Sequence, residues 1–243
     1  MDSEFLKEWE KFSLTEEENA IVGVEDGGNV KGDAVDQIRL AIVGKLCTVK
    51  PFNVEAMKRT LTSVWRLNDN IAIRTIESNL FVFQFFDVAD KERILASCSW
   101  FFDEKLLLVK EMLGGEQPLE VEFLSSPMWV RLLDVPFNKR NSSVMYDIGE
   151  ALESFLEFDD SNPLGWGEYM RIKVMTNVRK PLRRGVFIAT EGKEVKWIDV
   201  KYERLADFCF YCGILDHTER DCLKKMEEGE SKGEVVYQIW YVA

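Results

Sequence analysis

Three cysteines and a histidine, Cys209, Cys212, His217 and Cys222, fall within fourteen residues of a 243-residue chain whose only histidine is His217. Their spacing, C-x2-C-x4-H-x4-C, offers three thiolates and one imidazole, the ligand set that tetrahedral zinc prefers. So short a loop cannot enclose a hydrophobic core. Ligation must therefore supply its folding energy, on the order of 10 kcal/mol or more for structural zinc. Four protein ligands leave no open position for water, so the single Zn2+ expected here is structural and not hydrolytic. Gly213, directly after the second cysteine, permits the turn that aims a backbone amide at a metal-bound sulfur. Phe210 and Ile214 flank the ligands and could together form a platform for an unpaired base, at roughly 1–3 kcal/mol per stacked base. The competing reading packs Phe210 back onto the preceding region.

A second candidate is the stretch Arg171 to Arg184, RIKVMTNVRKPLRR, which holds six basic residues and no acidic one. On a strand, Arg171 and Lys173 share a face, and Arg179, Lys180, Arg183 and Arg184 occupy the connection beyond it. A contiguous phosphate-facing strip would follow. Surface charge that merely keeps a strand solvated is the plainer alternative. Catalysis is not expected. The one histidine is committed to zinc, there is no Gly-rich phosphate loop, and no Ser or Cys nucleophile has a free imidazole to activate it. Asp159-Asp160 reads as a solvated turn and not as a paired-carboxylate site.

The net charge of -12 argues against strong non-specific adhesion to a polyanion, since phosphate binding draws on Lys and Arg displacing counterions. Much of the acidity sits in residues 1–36, which hold eleven acidic and three basic side chains, so a local positive patch remains compatible with the total. No run approaches the ~18 apolar residues of a membrane span, and MDSEFLKEWEKF is acidic where a secretory signal would be basic and then apolar. An intracellular, reducing location is expected, where five cysteines speak for metal and not for disulfides.

The elements that must position these residues read as α+β. Residues 1–36 form an acidic leader and linker, with a capping-box signature at Thr15 to Glu18 and turn formers from Glu25 to Asp33. Residues 37–117 follow a βαββαβ order. It comprises a strand at Leu40 to Val49, a helix capped by Asn53, strands at Ile71 to Ile76 and Leu80 to Phe86, a helix from Asp87 or Asp90, and a strand at Leu106 to Met112. That order describes a ferredoxin-like split βαβ sheet. Phe81, Phe83 and Phe85 alternate onto one face, but Leu80, Val82 and Phe86 make the other face apolar too, so the strand reads as core and not as a stacking surface. Residues 118–204 form a second, smaller α+β region, with strands at Trp129 to Val135 and Tyr169 to Thr176. A helix runs from Ser142 to Leu156, and Phe187 to Thr190 pairs with Val195 to Tyr202 across Glu191-Gly192-Lys193. Residues 205–224 are the knuckle and 225–243 a tail.

The chain resembles plant proteins that pair an N-terminal domain of unknown function with a CCHC-type zinc knuckle, many of them derived from the first reading frame of LINE-type retrotransposons. The resemblance is carried by LTEEE, VGKLCTVKPFNVEAMKRTLTSVWRL, NLFVFQF, WVRLLDVP, KPLRRG and YERLADFCFYCGILDHTERDC. It implies zinc and nucleic-acid binding, to RNA in a ribonucleoprotein, and does not imply an enzymatic activity for this segment. The leading expectation is a weak binder of single-stranded RNA or DNA that uses the knuckle together with the Arg171 to Arg184 strip. A zinc-stabilised protein-interaction or self-association module is the alternative; neither a membrane nor a small-molecule substrate is implied. Two departures stand out: Asp216 occupies the place before the histidine where such knuckles usually carry glycine, and Glu219 and Asp221 lie within the loop.

Overall fold

Apolar alternation and helix caps build the first half of the folded chain as expected. In the computed structural model, strand β1 (Ala41–Leu46) leads to helix α1 (Val54–Trp65), strands β2 (Ile71–Glu77) and β3 (Leu80–Phe85), helix α2 (Val88–Ala96), and strands β4 (Trp100–Phe102) and β5 (Lys105–Glu111). Asn53 Oδ1 accepts from the amide of Ala56 at 2.9 Å and Asp87 Oδ1 from that of Ala89 at 3.2 Å, so each helix starts where a side chain satisfies an orphan donor. The strands pair antiparallel in the order β2-β3-β1-β5-β4. The structure describes residues 37–67, 70–161, 166–190, 192, 194–205 and 207–228. The expected acidic leader with its capping-box signature, the expected linker, Glu191 and Lys193 of the expected hairpin connection, and the expected tail from residue 229 on lie outside them.

Phe81, Phe83 and Phe85 are fully buried beneath Met57, Leu61 and Trp65 of α1 and Ile94 of α2. The opposite face of the same sheet buries Val43, Leu80, Leu106 and Leu108 in a larger core that also contains Met128, Val130 and Leu132. That explains why β3 is apolar on both sides: helices cover one face and the second sheet's core the other. At roughly 1.5–3 kcal/mol per buried large side chain, this shared core is what joins the two halves.

The second half forms strand β6 (Ser125–Leu133), helix α3 (Ser142–Leu152), and strands β7 (Ser154–Phe158), β8 (Tyr169–Asn177), β9 (Gly185–Ala189) and β10 (Val195–Tyr202), in the antiparallel order β7-β8-β6-β10-β9. Even-numbered residues of β6 and β8, and of β10 from Ile198 on, turn inward beneath Met145, Ile148 and Leu152 of α3. Two expectations are corrected. The helix expected through Leu156 stops at Leu152, because Phe155 to Phe158 are captured by β8 as strand β7. The expected strand at Leu106 gains an upstream partner, β4, joined by Asp103 and Glu104 at φ 48° and 58°. That is a two-residue hairpin requiring left-handed backbone at both positions.

Candidate metal centre and nucleic-acid interface

After β10 the chain enters the ligand loop, and the loop's own backbone closes it. Phe208 bridges Leu215, Cys209 N donates to Ile214 O at 3.0 Å, and Gly213 N returns to Cys209 O at 2.8 Å. Gly213 adopts φ 79°, so the glycine expected at that place is needed there. The turn also brings Cys212 N to 3.5 Å from Cys209 Sγ. One ligand atom from each of Cys209, Cys212, His217 and Cys222 then lies within 4.8 Å of the others. Cys212 Sγ and His217 Nε2 are 3.4 Å apart. Ligands on a tetrahedral zinc are separated by roughly 3.5–3.8 Å, so the group fits one Zn2+ with little adjustment.

The donors are prepared differently. Burial pushes the Cys209 thiol up to about 12 and raises Cys212, so both hold protons that a divalent ion must displace. Burial also acts against ionisation of Cys222, but the amide of Lys225, at the start of helix α4 (Leu223–Glu228), and the His217 side chain hold that thiol below its usual value. His217 presents Nε2 to the cluster while Nδ1 donates to Asp216 Oδ1 at 2.5 Å. A carboxylate behind the imidazole fixes the ring and its tautomer. Asp216 sits at φ 107°, which is why glycine commonly occupies that place and why Asp, tolerant of such backbone, substitutes. This second role of Asp216 was visible in the sequence only as a departure from pattern.

The loop is seated on both sheets. Leu182 N donates to Gly213 O at 2.8 Å, Asp207 N to Glu104 O at 2.7 Å, and Lys50 pairs with Asp221 at 2.7 Å. Phe208 and Leu215 enter the large core, with Phe210 packed edge-on against Phe208 at a centroid distance of 5.1 Å. Of the two readings of Phe210, the contact is the inward one; Ile214 packs partly buried against the ligand cluster.

The basic stretch is divided. Arg171 donates Nε and Nη2 to Glu203 at 3.0 and 2.8 Å, reaches Asp159 at 3.6 Å, and lies 3.8 Å above the Trp129 ring. Lys173 is only 8% exposed and is held by Ala96 O and Glu157, so it is not a free phosphate-facing cation. Arg179, Lys180, Arg183 and Arg184 are exposed on the connection beside the knuckle, Arg179 at 3.9 Å from Asp216 and Lys180 at 3.9 Å from Glu153. Of the pair expected to form a solvated turn, Asp160 is an exposed turn residue, whereas Asp159 sits half-buried just before the turn as a partner of Arg171.

This ligand geometry, on a loop following a β-hairpin, is that of a zinc knuckle. Residues 34–120 match the family described as Domain of unknown function (DUF4283), and residues 176–224 match the family described as Zinc knuckle. The chain therefore joins a DUF4283 domain to a CCHC-type zinc knuckle. The second match begins in β8 and takes in the hairpin β9–β10, so the matched unit is longer than the ligand loop. No curated protein matches the chain. Among the described residues, no helix is long and apolar enough to cross a membrane.

Proposed function

We propose that this protein is an intracellular, non-enzymatic binder of single-stranded RNA or DNA, of retrotransposon-derived ancestry, whose shape depends on one zinc ion. The observation that carries the reading is the closed Cys3His cluster within the zinc-knuckle match. Exposed Arg179, Lys180, Arg183 and Arg184 beside it supply the electrostatic component. The first sheet is read as ferredoxin-like, because with β4 set aside its order β2-β3-β1-β5 is that of a split βαβ unit. The sole histidine stands in the metal cluster, which supports a non-catalytic role.

The test is fluorescence anisotropy of labelled single-stranded oligonucleotides with zinc-loaded protein across a salt series. Micromolar or weaker affinity that falls with salt is expected, with a shallower slope when the four exposed cations become Ala. No binding at low salt, or an affinity indifferent to salt, overturns the reading. A second reading, a zinc-stabilised interaction module, is favoured by Phe210 packing, partly buried, against the core beside Phe208. It predicts a partner complex or self-association on size-exclusion that survives nuclease.

A further inference from the structure

The strand register of the second sheet brings together a row that chain order conceals. Arg131 of β6 lies directly opposite Arg171 of β8 on one side and Lys201 of β10 on the other. Three cations thus stand side by side across three adjacent strands, on the face turned away from α3. Like charges directly opposite each other destabilise a sheet. Glu203 relieves part of this, accepting from Arg131 Nε at 2.7 Å and from Arg171. Lys201, by contrast, has no ion-pair partner among the described residues, and neither has Arg204, exposed just beyond β10. Two cations share one carboxylate, and two more wait beside them.

The same face carries aromatic rings on four neighbouring strands. Tyr169 of β8 lies beneath Arg131 at 4.4 Å and Trp129 of β6 beneath Arg171. Trp197 of β10 faces Phe187 of β9, their centroids 4.9 Å apart, and these rings are 39% and 68% exposed. Trp197 is held in place: its Nε1 donates to Asp199 at 2.7 Å, and Gly185 leaves room for the indole to lie over β9 where any Cβ would collide with it. A ring fixed in advance costs little entropy on binding. At the other end of the row, a cavity of about 230 Å³ opens between Phe101 and Trp129, lined also by Arg171, Glu203 and Arg204.

We infer that this outer face of the second sheet, and not the knuckle loop alone, is the surface that holds a single-stranded nucleic acid. Its phosphates lie along Arg131, Lys201 and Arg204, and its bases stack on Trp197 and Phe187. A flat strip of cations flanked by exposed rings is the complement of an unpaired strand, whereas a duplex would bury its bases away from the rings. The inference rests on the nucleic-acid reading above.

The experiment compares full-length, zinc-loaded parent with a Lys201→Ala/Arg204→Ala double variant and a Phe187→Ala/Trp197→Ala double variant. Labelled single-stranded RNA, single-stranded DNA and duplex DNA are titrated at several salt concentrations. Zinc content and circular dichroism verify that each variant is folded, and a Lys201→Gln/Arg204→Gln variant repeats the charge removal with longer side chains. The cation variants are expected to reduce the slope of log K against log salt by about 0.7 per lost phosphate contact. The ring variant is expected to lose roughly five- to 150-fold per base unstacked, with the slope unchanged. If the parent binds and all variants bind as it does, this surface is wrong while the nucleic-acid reading stands. If the parent binds none of the three, both fail together. Preference for RNA or DNA names the strand, and preference for duplex overturns the stacking half of the inference.

Discussion

Asp216 illustrates how one side chain can answer two demands. Its backbone, at φ 107°, favours glycine, yet glycine has no carboxylate to hold His217 Nδ1 at 2.5 Å. Which demand matters more to the metal can be measured. Asp216→Gly relaxes the backbone but frees the imidazole, and loss of such an outer partner typically costs 10- to 100-fold in metal affinity. We expect weakening of about that size from zinc competition with a chromophoric chelator, and a smaller loss for Asp216→Asn, which keeps an acceptor. Equal or tighter zinc binding in Asp216→Gly would show that relief of the backbone outweighs loss of the carboxylate. The same titration has a pH dependence of fixed sign. Because burial keeps Cys209 protonated up to about 12 and raises Cys212, zinc must expel protons to bind, so affinity strengthens as pH rises and is lost toward acid.

At the level of strands, Glu203 is the element that lets three cations share one row. Burial opposes its ionisation, but hydrogen bonds from Arg171 and then Arg131 prevail and hold its carboxyl below the ordinary value. A depressed carboxyl contributes stability that is present above the unfolded pKa, near 4.3, and is lost as pH falls through the lower folded value. Glu203→Gln should therefore lower the melting temperature at pH 7 by an amount set by ~1–3 kcal/mol, at roughly 2–4 °C per kcal/mol, and the gap should close below about pH 4. Zinc loss in acid affects parent and variant alike, so the difference isolates Glu203. Two curves that stay parallel to pH 3 would remove this role. None of that row was legible in the chain, since Arg131, Arg171, Lys201 and Glu203 meet only through register. Much else was legible. The helix starts at Asn53 and Asp87, the buried faces of β3 and the β9–β10 pairing follow from periodicity and caps, which are local properties. The ligand loop was the clearest feature because its spacing alone constrains it. Sequence reading fell short where a tertiary partner overrode local preference, as when β8 drew Phe155 to Phe158 out of a helical pattern. It fell short again where Asp103-Glu104 made a hairpin turn without the glycine that usually marks one.

Across the whole folded unit, the zinc loop acts as a joint. Its backbone is tied to the β4–β5 turn through Asp207 and Glu104 and to the connection after β8 through Leu182 and Gly213, while Lys50 and Asp221 close a third contact. Phe208 and Leu215, 5% and 1% exposed, are shared with the core that joins the sheets. Both flank the ligand loop, so a metal that draws the ligands together would also hold these two side chains in the core. Stripping the metal should therefore expose both, at roughly 1.5–3 kcal/mol each, and lower the melting temperature of the entire unit by on the order of 10 °C. A Cys212→Ser variant, which removes a ligand without a chelator, should melt like the stripped parent and no longer carry one zinc per chain. Calorimetry should show one cooperative transition moving down, and amides of β6, β8 and β10 should exchange faster after metal removal. A knuckle that hangs freely from the second sheet predicts something different: loss of zinc would then alter exchange only in residues 207–222 and leave the main transition where it was. That result would reduce the loop from a joint between the sheets to an appendage of one of them.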